Sequence, residues 1–360
     1  MIKKYYSDID VVTAARQRVK NIFRTAPKVS VSISGGKDSI VMNDIIFKLC
    51  QSGEIDKSKL TIDFIDEEAI YPCVEKIVRN IRLQWLSIGV PFRWWCIEVK
   101  HYNCFNMLIN DESFICWDRY KKDVWVREMP PFAITDHPLL NNRKDSYQKF
   151  LSRLNKDAVQ LVGVRVSESM QRAGALAKKE DMRTLYPIYD MKDHDVWRYI
   201  RDNNLEIPDA YLYLYQCGTP KNRLRLSQFF SIDTAKSLVK MCEYYPNLFD
   251  KICKREPNAY IAMLYFDTEM FRRQKKKLQV DKDEDINYKA KVLELLYDDK
   301  YFQSQSAKKS QHNYQRLLTL HGPLIENSAY KKIYGALIGG DPKNREYRAI
   351  FNEIFRKAKG

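Results

Sequence analysis

The sequence predicts an α/β fold built on a doubly wound, mainly parallel sheet, with a helical C-terminal extension. Three observations carry that prediction. The β-branched run Val29 to Ile33 ends in Ser34-Gly35-Gly36-Lys37-Asp38-Ser39 and passes into the apolar segment Ile40 to Leu49, giving strand, glycine turn and buried helix in succession. A second run, Leu60 to Ile65, ends in Asp66-Glu67-Glu68 and leads to a helix opened by Pro72. A third strand near Phe92 to Val99 completes an alternation of strand and helix that puts the strands in parallel and helices on both faces.

The elements follow in order. An amphipathic segment from Ile9 to Phe23 precedes the first strand and packs beside the sheet, with Arg16, Arg18, Lys20 and Arg24 on or near its exposed side. The helix from Pro72 sets Val74, Ile77, Val78, Ile81 and Trp85 on one face and stops at Gly89. Periodicity fades between His101 and Phe150, where Trp117, Trp125, Pro130-Pro131 and His137-Pro138 mark an insertion; His137 there belongs to a turn. A fourth strand, Ala158 to Val164, runs into Arg165. Beyond Tyr186-Pro187-Ile188-Tyr189, the segment Lys192 to Asn203 carries Val196, Trp197 and Ile200 at helical spacing, and His194 sits at its start. From about Ser227 apolar helices such as Tyr260 to Phe271 alternate with charged runs such as Arg272 to Lys277. Such a run reads either as a solvated linker or as a nucleic-acid contact. The expected division is 1–226 for a nucleotide-binding domain with an insertion at 101–150, and 227–360 for a basic helical region.

Composition bounds the function. With 360 residues, 45% hydrophobic and 12% aromatic, the chain can bury a sizeable core and is not disordered. A net charge of +15 points to a polyanionic partner, DNA or RNA, with solubility alone as the competing explanation. No stretch reaches the length of a membrane helix and the N-terminus lacks a signal-peptide core, so a cytoplasmic protein with no membrane partner is expected. The eight cysteines form no Cys-x-x-Cys pair and no cluster with histidine, so neither zinc nor an iron–sulfur cluster is expected.

The segment 34–39 carries the chemistry. Two glycines permit positive φ and close ligand approach, and the next helix opens with unpaired N–H groups at the positive end of its dipole. The Ser34 and Ser39 hydroxyls add donors and Lys37 a point charge for a polyphosphate. The spacing is not that of a Walker A loop, which disfavours a kinase or GTPase. An ordinary glycine turn is the bland alternative.

The loop resembles the PP-loop of the ATP pyrophosphatases, which hold the β and γ phosphates and leave the α phosphorus open to attack. Three further segments resemble the phosphoadenosine phosphosulfate (PAPS) reductase-like branch. They are Ile65-Asp66-Glu67 with Tyr71-Pro72, Gly163-Val164-Arg165 through Glu168-Ser169 to Arg172, and Tyr186-Pro187-Ile188 with Asp195-Val196-Trp197-Arg198-Tyr199-Ile200. The resemblance implies a five-stranded, adenine nucleotide alpha hydrolase-like sheet with the nucleotide at the carboxyl ends of its strands. It assigns Ser34, Gly35, Gly36, Lys37 and Ser39 to pyrophosphate, Arg165 and Arg172 to phosphate or sulfate oxygens, and Asp66 or Glu67 to ribose, adenine or metal. Gly163 and Glu168 complete the nucleotide-binding set. An ion pair with Glu168 is the alternative role of Arg165. Asp38 is either a ligand of Mg²⁺ or a cap of the first helical turn.

The expected activity is ATP-dependent adenylation of a substrate with release of pyrophosphate, in sulfur-related or nucleic-acid modification, with ATP and Mg²⁺ as cofactors. A PAPS-binding reductase or sulfur-transfer homologue is the second reading, and a non-catalytic nucleotide-binding regulator on DNA the third; a partner protein stays open. The C-terminal Glu-Cys-Gly-x-His element of true PAPS reductases is missing, no cysteine following Cys253, and Cys217 reads either as a functional thiol or as a small buried hydrophobe.

Overall fold

Strand β1 (Val29–Ile33) lies at the centre of a five-stranded parallel sheet, in a computed structural model that describes residues 8–105, 113–166, 183–221, 224–226, 229–230, 241–265, 287–298, 305–339 and 345–357. Helix α1 (Val11–Thr25) precedes it, capped by the Asp10 carboxylate, which accepts from the Val12 and Thr13 amides; Ala15, Val19 and Phe23 form its buried stripe. The chain continues through α2 (Lys37–Gln51), β2 (Leu60–Ile65), α3 (Pro72–Ser87) and β3 (Phe92–Trp95). Strands β1, β2 and β3 therefore step outward in sequence order. After an excursion that includes the antiparallel pair β4 (Lys100–Tyr102) and β5 (Ser113–Ile115) and the helix α4 (Tyr147–Leu154), the chain returns to the other side of β1 as β6 (Val159–Val162) and then β7 (Thr184–Leu185). The order β3-β2-β1-β6-β7 reverses direction between β1 and β6, and that switch point is where open α/β sheets bind ligands.

The expected five-stranded, doubly wound sheet is present. Helices lie on both faces: Arg79 of α3 sits over the Trp94 ring on one side, and Phe150 of α4 meets Trp95 edge-on at 5.1 Å on the other. The third strand is shorter than expected, ending at Trp95. Beyond that point Ile134 caps the sheet edge, donating to the Trp94 carbonyl and accepting from the Cys96 amide, so Cys96 to Val99 leaves the ladder.

The parallel register gives the sheet two unlike faces, because side chains on paired residues point the same way. One face carries Val29, Val31 and Ile33 of β1 beside Leu60, Ile62 and Phe64 of β2 and Leu161 of β6, all buried. The other carries Ser30 and Ser32 of β1, Asp63 of β2, Arg93 of β3, Gln160 of β6 and Thr184 of β7. Strands buried on both sides in parallel sheets ordinarily read as continuous apolar runs. Here one face is polar, and it is held by hydrogen bonds. Asp63, 1% exposed, accepts from Ser30 Oγ at 2.6 Å, from Arg93 at 2.6 and 2.7 Å, from Trp95 Nε1 at 2.9 Å and from Asn155 at 3.2 Å.

The first compact unit comprises 1–105 and 113–260, and the second 106–112 and 261–360. The boundary expected at 226 thus falls inside the first unit. Helices α5 (Asp193–Asp202), α6 (Ala210–Gln216) and α7 (Pro246–Arg255) belong there, and α8 (Asn258–Tyr265) begins there. The tie is physical: buried Arg255 donates to the Glu68 carboxylate at 2.8 Å, and the Cys104 amide to the Phe230 carbonyl at 2.8 Å. In the second unit α9 (Tyr288–Leu296), α10 (Gln305–His321), α11 (Asn327–Gly339) and α12 (Arg345–Lys357) share a core of Val292, Leu296, Tyr314, Leu317, Ile333, Leu337, Ile350 and Ile354. The charged run 272–277 lies outside the described residues, as do Glu168 and Arg172. None of the described helices is long and apolar enough to cross a membrane.

Candidate functional site

A cavity of about 810 Å³ opens at the carboxyl ends of the central strands. Its wall includes Ser34, Gly36, Lys37, Asp38 and Ser39 from the β1 to α2 turn, Glu67 after β2, and Gly163 after β6. Across from them stand Tyr211 of α6, Arg183 and Arg225. The polar sheet face supplies its floor through Ser32, Asp63, Gln160 and Thr184.

The turn has the backbone that its sequence requires. Gly35 has φ +72°, and a Cβ there would lie 2.7 Å from a Val74 methyl and 2.9 Å from a Val78 methyl of α3. Only glycine lets the turn press on α3. Gly163 meets an equally firm limit, since a Cβ would come within 2.9 Å of the Ser39 Cα. Strand β6 therefore ends directly against the first turn of α2. The Ser34 hydroxyl donates to Ser39 Oγ at 3.1 Å and Ser39 Oγ to the Gly36 carbonyl at 2.9 Å, which ties the turn to itself. Helix α2 begins at Lys37 without a side-chain cap. The Lys37 amide donates to Tyr211 Oη at 2.9 Å, whereas the Asp38 and Ser39 amides donate to no group among the described residues. Two uncapped amides at a helix N-terminus form an anion site.

The structure joins three of the sequence motifs behind this turn. Arg165, 3% exposed, donates to Asp38 at 2.8 and 3.3 Å and to Asp193 of α5 at 3.3 Å. Asp193 also accepts from Trp197 Nε1 at 3.0 Å, and Trp197 packs edge-on against Tyr211 at 5.8 Å. Asp193 and Tyr211 were not among the residues expected at the site. They are the links through which the Asp-Val-Trp segment reaches the loop, and neither stands within a motif that would reveal it.

Several expected roles change. Arg165 is absent from the cavity wall, and its partners among the described residues include the Asp38 and Asp193 carboxylates, which it braces; Glu168 lies outside the described residues. Asp38 accepts from Arg165 through both oxygens, and Lys37 Nζ stands 4.0 Å away, an arrangement suited to fixing the first turn of α2. Lys37 is 3% exposed and donates to the Leu224 carbonyl at 2.9 Å; burial lowers its pKa, against the opposing pull of Asp38 and Asp193. Asp66 lies outside the cavity wall, fully buried, held by Arg127 and accepting from Trp94 Nε1 at 2.7 Å and the Glu68 amide at 3.0 Å. Glu68, at φ +65°, is likewise consumed, accepting from Arg255 and from the Trp117 amide at 2.7 Å.

Glu67 differs from both neighbours. It lines the cavity, and no hydrogen bond or ion pair reaches its carboxyl among the described residues. Burial first, and the adjacent Asp66 charge second, push its pKa up to about 7. Arg183 and Arg225 are cations of the wall that sequence reasoning missed; the basic cluster Lys221 to Arg225 was the available signal for the second. No cysteine belongs to the described wall, and Cys73, on α3, has its thiol raised to about 11 by burial.

Residues 141–232 match the family model described as phosphoadenosine phosphosulfate reductase domain. An uncharacterized protein of Escherichia coli (strain K12), YbdN, is 26% identical over 284 residues, covering 71% of this chain and 68% of its own. Among solved structures, an FMN adenylyltransferase of Candida glabrata has a TM-score of 0.33 at 15% identity and covers 58% of this chain, which spans 63% of that one. A PAPS reductase of Candida auris, solved as a phosphate complex, has a TM-score of 0.34 at 16% identity and covers 64% of this chain and 98% of its own. The motif resemblance and the family match coincide on the segment that holds β6, Gly163 and Arg165, so residues 141–232 are similar to the phosphoadenosine phosphosulfate reductase domain.

Proposed function

We propose that this chain binds ATP through residues 34–39 and transfers its adenylyl group to an acceptor, releasing pyrophosphate. One observation supports the reading above others. An uncapped helix N-terminus with two unclaimed amides faces a cavity at the topological switch point, beside the Ser34 and Ser39 hydroxyls. The β and γ phosphates occupy that turn, with Lys37 and Arg225 supplying positive charge, and the α phosphorus is left toward the middle of the cavity. As the acceptor attacks, charge grows on the α-phosphoryl oxygens and on departing pyrophosphate. Fixed N–H donors and cations at the turn lower that barrier. The Asp38, Arg165 and Asp193 chain keeps the first turn of α2 in position without touching the nucleotide. The acceptor belongs to sulfur-related or nucleic-acid modification, and the +15 charge favours a polyanion among the candidates.

Product analysis of labelled ATP, with and without cellular RNA, DNA and small-molecule extracts, tests this. Pyrophosphate and adenylated acceptor in equal amounts are expected, with free AMP only where water or a second nucleophile displaces the adenylate, and both fall at least about 100-fold in Lys37→Ala. Tight ATP binding without products would replace the enzyme by a nucleotide-binding regulator. The family match also favours PAPS as the nucleotide. In that case PAPS-dependent thiol consumption must draw its thiol from outside the described cavity wall, which contains no cysteine.

A further inference from the structure

Three consecutive carboxylates follow β2, and the structure treats them differently. Asp66 is locked by Arg127, Trp94 and the Glu68 amide. Glu68 is locked by Arg255 and by the Trp117 and Val126 amides. Both locks hold the backbone on either side of Glu67, and the Glu67 carbonyl is itself held by the Ala69 amide at 2.7 Å. Among the described residues Glu67 alone of the three is left with an unclaimed carboxyl, in the wall of the cavity that contains the phosphate-loop residues. A half-buried carboxylate with no counter-charge destabilises the fold that holds it, and such groups cluster where chemistry needs them.

We infer that Glu67 is the proton acceptor of the adenylyl transfer, a role that rests on the function proposed above. The acceptor substrate presents a protic nucleophile, an O–H, N–H or S–H group. Its heavy atom forms the new bond to the α phosphorus while the bond from that phosphorus to the bridging oxygen of pyrophosphate breaks, the electron pair leaving with pyrophosphate. The nucleophile's proton passes to the Glu67 carboxylate and from there to solvent. No oxidant or reductant is consumed. The group works only when ionised, and its pKa near 7 places it where a base is both charged and basic enough at neutral pH. The flanking locks hold the backbone on both sides of Glu67, with the Asp66 and Glu68 carboxylates taken up by Arg127 and Arg255.

The test is the pH dependence of acceptor-dependent pyrophosphate release from 5 to 9 in the wild type and in Glu67→Gln, with ATP affinity measured by calorimetry on the same samples. The wild type should lose rate below about pH 7. Glu67→Gln should bind ATP within about threefold of the wild type, release pyrophosphate about 10²- to 10⁴-fold more slowly, and lose that acid limb. Unchanged rate and profile in Glu67→Gln, with the wild type active, would overturn this inference and leave the proposed function standing. So would a loss of ATP affinity as large as that of Lys37→Ala, or a raised Mg²⁺ requirement with the acid limb intact, since either makes Glu67 a nucleotide or metal contact. A wild type that binds ATP but releases no pyrophosphate with any acceptor would remove the adenylyl-transfer reading itself and this inference with it.

Discussion

The two faces of the central sheet were made from the same strands and do opposite work. The apolar face, with Val31, Ile62 and Leu161 at 0% exposure, is a packing surface. The polar face, one residue out of register along each strand, is a hydrogen-bonded platform that ends at the cavity. Its stability comes from satisfied polar groups rather than from excluded water. A polar network of this kind holds only while every member keeps its partners. The comparison teaches that in this fold the site does not merely sit at the strand ends; it extends down one face of the sheet.

Breaking each face at the same strand is the strongest test of that contrast. Asp63→Ala removes the acceptor of Ser30, Arg93, Trp95 and Asn155 at once and leaves a partly buried guanidinium without its counter-charge. The expected loss is about 3–5 kcal/mol, the usual consequence of deleting one member of a buried ion pair. Ile62→Ala on the opposite face should cost about 2–5 kcal/mol through lost burial and a residual cavity. The decisive difference is elsewhere: at a temperature where both variants are folded, ATP affinity should fall in Asp63→Ala and stay at the wild-type value in Ile62→Ala. Chemical denaturation and calorimetry measure both quantities, and equal affinities would mean that the polar face is structural only.

Much of this architecture was legible. The β1 to α2 turn, the apolar face of α3 and the order of strands and helices follow from period, proline and glycine placement. Strand β7 was not legible, because Thr184 and Leu185 are two residues with no period to read. The polar face was readable and passed over: Val29-Ser30-Val31-Ser32, Thr61-Ile62-Asp63-Phe64 and Val159-Gln160-Leu161 all alternate, where a sheet buried on both sides should not. At the site, the turn is legible from its two glycines, whereas the partners of its charged neighbours are not. Whether Arg165 meets a phosphate or Asp38, and whether Asp66 or Glu67 faces the cavity, depends on χ angles and on partners more than a hundred residues away in some cases. Period-two alternation puts adjacent carboxylates on opposite sides, yet it does not say which side is open. The boundary near 226 was missed because Arg255 looks like any charged helix residue until Glu68 is placed opposite it.

Protonation separates the faces on a finer scale. Glu67 has its folded pKa raised from an ordinary 4.5 to about 7, so the folded protein holds this proton more tightly than the unfolded chain does. The resulting contribution to stability is complete below about 4.5 and is lost as the pH rises through about 7. Glu67→Gln abolishes that loss. Relative to the wild type it should be neutral at pH 4 and more stable at pH 8 by about 1–3 kcal/mol, at roughly 1.4 kcal/mol per pK unit. Urea titrations at the two pH values check the sign, and an equal effect at both would mean that the carboxyl is paired after all.

The smallest expected effect concerns Tyr211, which stands over the end of the sheet where both faces meet the turn. Its hydroxyl accepts from the Lys37 amide at 2.9 Å, the position that an anion at this helix N-terminus would claim, and its ring lies 5.6 Å from Lys37 Nζ. Tyr211→Phe keeps the ring and its edge-on contact with Trp197 while removing one hydrogen bond, at a cost of about 0.5–1.5 kcal/mol in stability. The freed amide then joins those of Asp38 and Ser39, so pyrophosphate and ATP should bind at least as tightly as in the wild type. Weaker binding of both ligands in Tyr211→Phe would show instead that the hydroxyl turns to donate to the phosphate. In that case Tyr211 would be a ligand contact of the site rather than a stand-in for its ligand.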